Sequence, residues 1–192
     1  MSKSTQEIIL LDACVLYSAP LRDLLMNLHI SGLFQARWTA EIHEEWMRNV
    51  LFDRPDLKKE QLERTRGLMD MSFPGSLVCN YEKKIQDLTL SDLNDRHVLA
   101  AAIKAKAGGI LTFNLKDFPQ KYLNTFGIKP VHPDEFFSEF IKTKELKFFE
   151  AARRQREGLR NPPKTVEEYL EIMNKQNIKK TIDLMKKRKD LL

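Results

Sequence analysis

Several acidic residues stand where a carboxylate is either costly or conspicuous. Asp12 directly follows the apolar run Ile8, Ile9, Leu10 and Leu11 and is followed at once by Ala13, Cys14, Val15 and Leu16. An unpaired carboxylate taken out of water costs several kcal/mol or shifts its pKa. Asp92 and Asp95 are three residues apart at the head of an alanine-rich stretch, a spacing that puts both on one helical face. Asn114 and Asp117 follow the apolar run Ile110–Phe113. Glu41, Glu44 and Glu45 are interleaved with Ile42, Trp46 and Val50, and Glu45 is next to Trp46. Carboxylates gathered at one place repel each other and raise one another's pKa. A divalent cation that takes oxygen ligands relieves that repulsion, and such an ion can activate water for hydrolysis.

Each acid also has an ordinary explanation. Asp92 fits a helix N-cap with Asp95 as its N3 partner, a pairing the helix dipole favours. Asp117 fits a turn in NLKDFP, ahead of Pro119. Glu45 fits a surface glutamate. Asp12 alone lacks a cheap explanation.

The elements that must position these residues read as alternating strands and helices. Strands are expected over Gln6–Leu11, Leu33–Trp38, Ser76–Asn80, Ile110–Phe113 and Ile128–Val131. Leu24, Leu25 and Leu28 have helical spacing. Thr39 can cap a helix from Ala40 whose apolar stripe is Ile42, Trp46 and Val50. Asp56–Met71 reads as a further helix, and Ser91–Ala107 as one stopped by Gly108-Gly109. This alternation predicts an α/β fold with a mainly parallel sheet. Such sheets place their sites beyond the carboxyl ends of the strands, where Asp12, Asn114 and Asp117 fall.

The 192 residues carry a net charge of +5 with uneven placement: residues 1–140 hold 17 Lys/Arg against 19 Asp/Glu, and residues 141–192 hold 15 against 8. A body at −2 with a tail at +7 suits a polyanion or an acidic protein partner, although a solvated helical surface would also give this pattern. No apolar run approaches the roughly 20 residues of a membrane span, and the N-terminus has no signal-peptide pattern. Cytoplasmic localisation is therefore expected. Cys14 and Cys79 are read as two buried free thiols, and no Cys/His cluster suggests zinc.

Asp12 after an apolar strand, an acid in the next helical region, D-x-x-D-R-H-V-L-A-A-A and then L-T-F-N-L-K-D-F-P together resemble the PIN domain over roughly residues 6–140. The resemblance implies a PIN-like α/β/α sandwich with a central parallel sheet of about five strands. It implies a metal-dependent endoribonuclease of the VapC type, the toxin of a toxin–antitoxin pair, that uses Mg2+ or Mn2+. Its partners would be RNA and a small antitoxin protein, and a homodimer is compatible with it. Carried over position by position, Asp12, Glu45, Asp95 and Asp117 fit the family's metal-binding and catalytic acids. Glu44 is the fallback for Glu45, and Asp92 and Asn114 are accessory. A DNA-cleaving PIN-like nuclease has the same site, and groove shape decides between the two substrates.

Residues 141–192 run past a minimal PIN domain and are similar to the C-terminal extension of larger VapC-like proteins, giving a division into 1–140 and 141–192. Phe136, Phe137 and Phe140 begin a helix that turns basic at Arg153, Arg154 and Arg156 and ends at Gly158. Thr165 and Glu168 form a capping box for the next helix. Ile178–Leu192 is basic and amphipathic, and its Lys186, Lys187, Arg188 and Lys189 are candidates for binding nucleic acid. A non-catalytic RNA- or protein-binding protein of this fold would not need all four acids. A phosphatase of the haloacid dehalogenase type would want a second aspartate where the chain reads DACVL. His97, on a different helical face from Asp95, is expected to be a core or surface residue.

Overall fold

In this computed structural model, residues 6–192 are described. In chain order the elements are β1 (Ile8–Leu11), α1 (Ala13–Tyr17), α2 (Ala19–Ile30), β2 (Gln35–Arg37), α3 (Ala40–Asp53), α4 (Lys59–Ser72), α5 (Arg96–Ala105), β3 (Gly109–Leu111), α6 (Gln120–Leu123), β4 (Lys129–Val131), α7 (Pro133–Thr143), α8 (Glu145–Gly158), α9 (Val166–Asn174) and α10 (Lys179–Lys187). Contacts divide them into two compact units. One is Glu7–Tyr17 with Ala36–Val131; the other includes Ser18–Gln35 and His132–Leu192. Helices α2 and α7, which precede residue 144, thus belong in space with the C-terminal helices.

The first unit is built on a four-stranded sheet of order β2-β1-β3-β4. Strands β1, β3 and β4 pair in parallel, with Leu11 opposite Leu111 and Leu111 opposite Val131. Ile9, Leu10, Leu11, Ile110 and Leu111 are buried, as near-continuous apolar strands of a parallel sheet should be. Helix α5 packs on β1 and β3, and α1 on α3.

Four details depart from the sequence expectation. Ser76–Asn80 forms no strand: it adds one parallel bridge, Trp38 to Leu77, because Gly75 and Asn80 both turn into the left-handed region and leave no length for a ladder. The sheet therefore has four strands, against about five expected. The alanine-rich helix ends at Lys106, itself left-handed at φ 54°, and Gly109 belongs to β3. A Cβ on Gly109 would come within 3.1 Å of Ile9 Cδ1 and 3.2 Å of the Lys129 carbonyl, so this glycine serves close strand packing. The helix expected to run from Phe136 to Gly158 breaks at Lys144 (φ −143°, ψ 44°) into α7 and α8. Cys14 and Cys79 are both free, but Cys79 is exposed.

Helix α3, which carries Glu41, Glu44 and Glu45, is itself firmly anchored. Thr39 accepts from the Ile42 amide and caps it, and Ile42, Trp46 and Val50 are buried. Behind it runs a polar chain: Trp46 Nε1 donates to His43 Nδ1 (2.9 Å), so His43 Nε2 carries the hydrogen and donates to Asp70 Oδ1 (3.2 Å), which also accepts from Trp38 Nε1 (2.8 Å). Asp70→Leu removes an acceptor used by two buried donors. An unmade buried hydrogen bond costs about 1–3 kcal/mol, and water can reach Asp70, so the expected loss is about 2 kcal/mol in urea unfolding. An unchanged midpoint would contradict this role.

The second unit is helical. Helix α2 packs on α8, and α7 on α8 and α10. Phe34, Phe136 and Phe140 form an aromatic cluster with centroids 4.7–6.3 Å apart. Tyr169 Oη donates to Gln155 Oε1, and Gln155 Nε2 donates to the Pro20 carbonyl. The Asp134 carboxylate accepts from the Lys180 and Thr181 amides and so satisfies the first turn of α10. The expected Thr165–Glu168 capping box is present on α9. Among the described residues no helix is long and apolar enough to cross a membrane.

Candidate active site

Strand β1 delivers Asp12 to its carboxyl end, where the Asp12 amide donates to the Leu111 carbonyl (3.1 Å). The side chain is 4% exposed. It is not unpartnered, however: Oδ1 accepts from the Ala13 amide (2.7 Å), and Oδ2 from the Thr112 hydroxyl (2.7 Å) and the Cys14 thiol (3.1 Å). Burial raises the Asp12 pKa, Thr112 and Cys14 oppose that rise, and the Glu45 charge adds to it. Thr112, the residue after β3, joins the two strand ends. Its hydroxyl oxygen also accepts from the Asn114 amide (2.9 Å) and so sets the start of the turn Leu115–Asp117.

Beside this stands a cleft of about 630 Å³ lined by Glu41, Glu44, Glu45, Arg48, Ile85, Asp92, Leu93, Asn94, Asp95, His97, Asn114 and Asp117. The fold therefore brings together every candidate acid except Asp12 as walls of one cleft. Asp12 is not a wall, but its charge acts on Asp95. Asp95 is half-buried, and burial pushes its carboxyl up to about 7, helped by the charges of Asp12, Asp92, Asp117 and Glu45. Glu45 acts on both Asp12 and Asp95. Asp92 Oδ1 accepts from the Asn94 amide (2.8 Å) and caps a short 3-10 turn, Leu93–Asp95; the expected Asp92–Asp95 capping box does not form.

Three further residues, which the sequence does not single out as part of the site, stand beside these acids. His97 is buried at 6% exposure, with Nδ1 3.5 Å from Glu41 Oε2 and Nε2 3.7 Å from Glu45 Oε2. Tyr81 Oη donates to Glu41 Oε2 (3.2 Å). Arg48 contributes a guanidinium to an otherwise acidic wall. The His97 position was legible, since it lies inside the D-R-H motif, but its partners come from a helix fifty residues away.

Among the described residues no three His, Cys, Asp or Glu side chains converge closely enough to enclose an ion as they stand. The chemistry of the donor set nevertheless fits a hard cation: it is made of carboxylate oxygens, and their charges add to the rise that burial gives Asp95. A thiolate-seeking metal fits poorly, because burial and the Asp12 charge push the Cys14 thiol up and keep it protonated. The KKRK run belongs to the helical unit. There Arg188 pairs with Glu145 and Asp190, and Lys189 with Glu167 (3.2 Å).

A family model described as PIN domain matches residues 8–116, and one described as VapC50 C-terminal domain matches residues 133–187. A curated protein of Mycobacterium tuberculosis, "Putative ribonuclease VapC50", is 43% identical over 68 residues, which is 34% of this chain and 40% of that protein. The match thus spans about 40% of the relative's length. No solved structure matches. Because the PIN model covers more than half of its residues, this chain belongs to the PIN domain family.

Proposed function

We propose that the protein is a metal-dependent endoribonuclease that hydrolyses RNA phosphodiesters and acts as the toxin of a toxin–antitoxin pair. The observation that carries this is the cleft that gathers Glu45, Asp92, Asp95 and Asp117, in which burial, helped by the neighbouring carboxylates, pushes the Asp95 pKa up to about 7. Membership of the PIN family and a relative whose name includes ribonuclease support it. Asp12, Glu45, Asp95 and Asp117 would hold Mg2+ or Mn2+, with Asp92 and Asn114 accessory. When bound, such an ion polarises a phosphodiester and lowers the pKa of its water. Arg48 offers a cation to a phosphate entering an acidic cleft, and the Asn94 and Asn114 amides can donate to its oxygens. The reading has the protein act in the cytoplasm, with RNA and a small acidic antitoxin as partners. Residues 1–140 would serve as the nuclease segment and 141–192 as a basic helical extension. The test of substrate class presents structured RNA, single-stranded DNA and duplex DNA to protein freed of any partner. RNA should be cut in the presence of Mg2+; preference for either DNA would overturn the assignment.

The extension is proposed to hold RNA through phosphates. Among the described residues Lys186 and Lys187 make no ion pair, whereas Arg188 and Lys189 are engaged. Changing all four to glutamine should therefore flatten the dependence of log K on log salt by about 1.4, or about 0.7 for each of two free lysines. An unchanged slope would assign the run to packing or to antitoxin docking.

A further inference from the structure

We propose that His97 is a positioning residue that orients the Glu45 carboxylate and thereby sets the affinity of the acidic cleft for a divalent cation. The proposal rests on the reading of Glu45 as a metal-holding acid. Glu41 and Glu45 lie at i and i+4 on α3, so their like charges repel along one helical face. His97 comes from the first turn of α5 and faces both, Nδ1 towards Glu41 and Nε2 towards Glu45. Buried Nδ1 makes no hydrogen bond, and both nitrogens stand just beyond hydrogen-bond length from their carboxylates. A ring of this kind, nine-tenths buried on a cleft wall, is short of partners and aimed at acids.

The two glutamates are not equivalent. Glu41 already accepts from Tyr81 Oη. Among the described residues Glu45 has no hydrogen bond, and the imidazole of His97, 3.7 Å away, is the one nitrogen base within 4 Å of its carboxylate. A neutral imidazole donates through one nitrogen, and Nε2 towards Glu45 is where a donor is lacking. A donor there restricts the rotamers of a long side chain and holds one carboxylate oxygen away from solvent. Hydrogen-bond partners of metal-holding carboxylates generally carry 10- to 100-fold in metal affinity or activity.

The test is a titration of the full chain with Mn2+, reading free ion by its electron paramagnetic resonance signal, so the result does not depend on RNA cleavage. His97→Phe should weaken Mn2+ binding by about 10- to 100-fold. His97→Gln, whose amide can donate to Glu45, should recover most of that loss. In a Glu45→Gln background, His97→Phe should cost nothing further, because the interaction it removes is already gone. If His97→Phe does not fold, His97→Asn replaces it: its shorter amide does not reach Glu45 and should also weaken binding. Wild-type Mn2+ affinity in His97→Phe or His97→Asn overturns the proposal and leaves His97 a packing residue, which would lower thermal stability only. If wild-type protein binds Mn2+, His97→Phe weakens it and RNA stays intact, the ribonuclease reading falls and this inference stands. If RNA is cut and His97 variants bind Mn2+ normally, the inference alone falls. If wild-type protein binds no Mn2+, both fall.

Discussion

Asp12→Asn, Asp95→Asn and Asp117→Asn are each expected to lower metal-dependent RNA cleavage by at least about 100-fold, since even the outer hydrogen-bond partners of metal ligands carry 10- to 100-fold. Asparagine is the informative replacement. At Asp12 its carbonyl still accepts from the Ala13 amide, and the Thr112 hydroxyl and the Cys14 sulfur can both turn to accept from the new amide group, so the junction of β1 and β3 survives. The lost charge is then the main change. Glu45→Gln should fall with this group and Glu44→Gln should retain most activity, because it is Glu45 whose charge reaches Asp12 and Asp95. Circular dichroism and single-turnover cleavage check the expectation. Near-wild-type activity in Asp12→Asn would remove Asp12 from the site.

The second large effect concerns pH and metal together. Asp95 has a pKa of about 7 in the folded, metal-free chain, against an ordinary value of 3.8. Below the lower value both the folded and unfolded states are protonated, and the raised pKa contributes its full share of stability. Between the two values the folded state holds a proton that the unfolded chain has released, so stability declines as pH rises. Above about 7 that share is gone. Metal-free protein should therefore melt at a lower temperature at pH 8 than at pH 5.5. Asp95→Asn should recover on the order of 1 kcal/mol at pH 8, a figure reduced for solvent screening of a half-exposed group. That is about 2–4 °C for a chain of this size. Saturating Mg2+ should also raise the wild-type melting temperature, by up to about 2.7 kcal/mol in stability at a hundredfold excess over Kd. That gain should be larger at pH 8 than at pH 5.5, because protons and cations compete for the same oxygens. Equal Mg2+ effects at both pH values would mean that the acids do not bind the ion.

How much of this was legible in the sequence depended on how local the signal was. The Ile42, Trp46 and Val50 stripe, the Thr39 cap and the Thr165–Glu168 box are set by spacings within one helix, and all three are present. Asp12 was conspicuous because it interrupts an apolar run, yet of its three donors Thr112 was invisible: it lies a hundred residues away and meets Asp12 only because β1 and β3 are neighbours. His97 read as a core or surface residue because helical periodicity cannot show which side chains another helix presents. The break at Lys144 left no composition signal, since Phe137 and Phe148 make one aromatic contact across it. The strand expected at Ser76–Asn80 failed for a reason present in the sequence, its glycine and asparagine boundaries, which outweighed the apolar residues between them.

The most direct measurement of the central claim is cleavage of a structured RNA pool by partner-free wild-type protein and by Asp12→Asn purified in parallel, each with Mg2+ and with chelator. Cleavage is expected in one of the four reactions, wild type with Mg2+, with at least about 100-fold less in the Asp12→Asn reaction. Equal cleavage by both proteins, or cleavage by the wild type that chelator does not diminish, would contradict it.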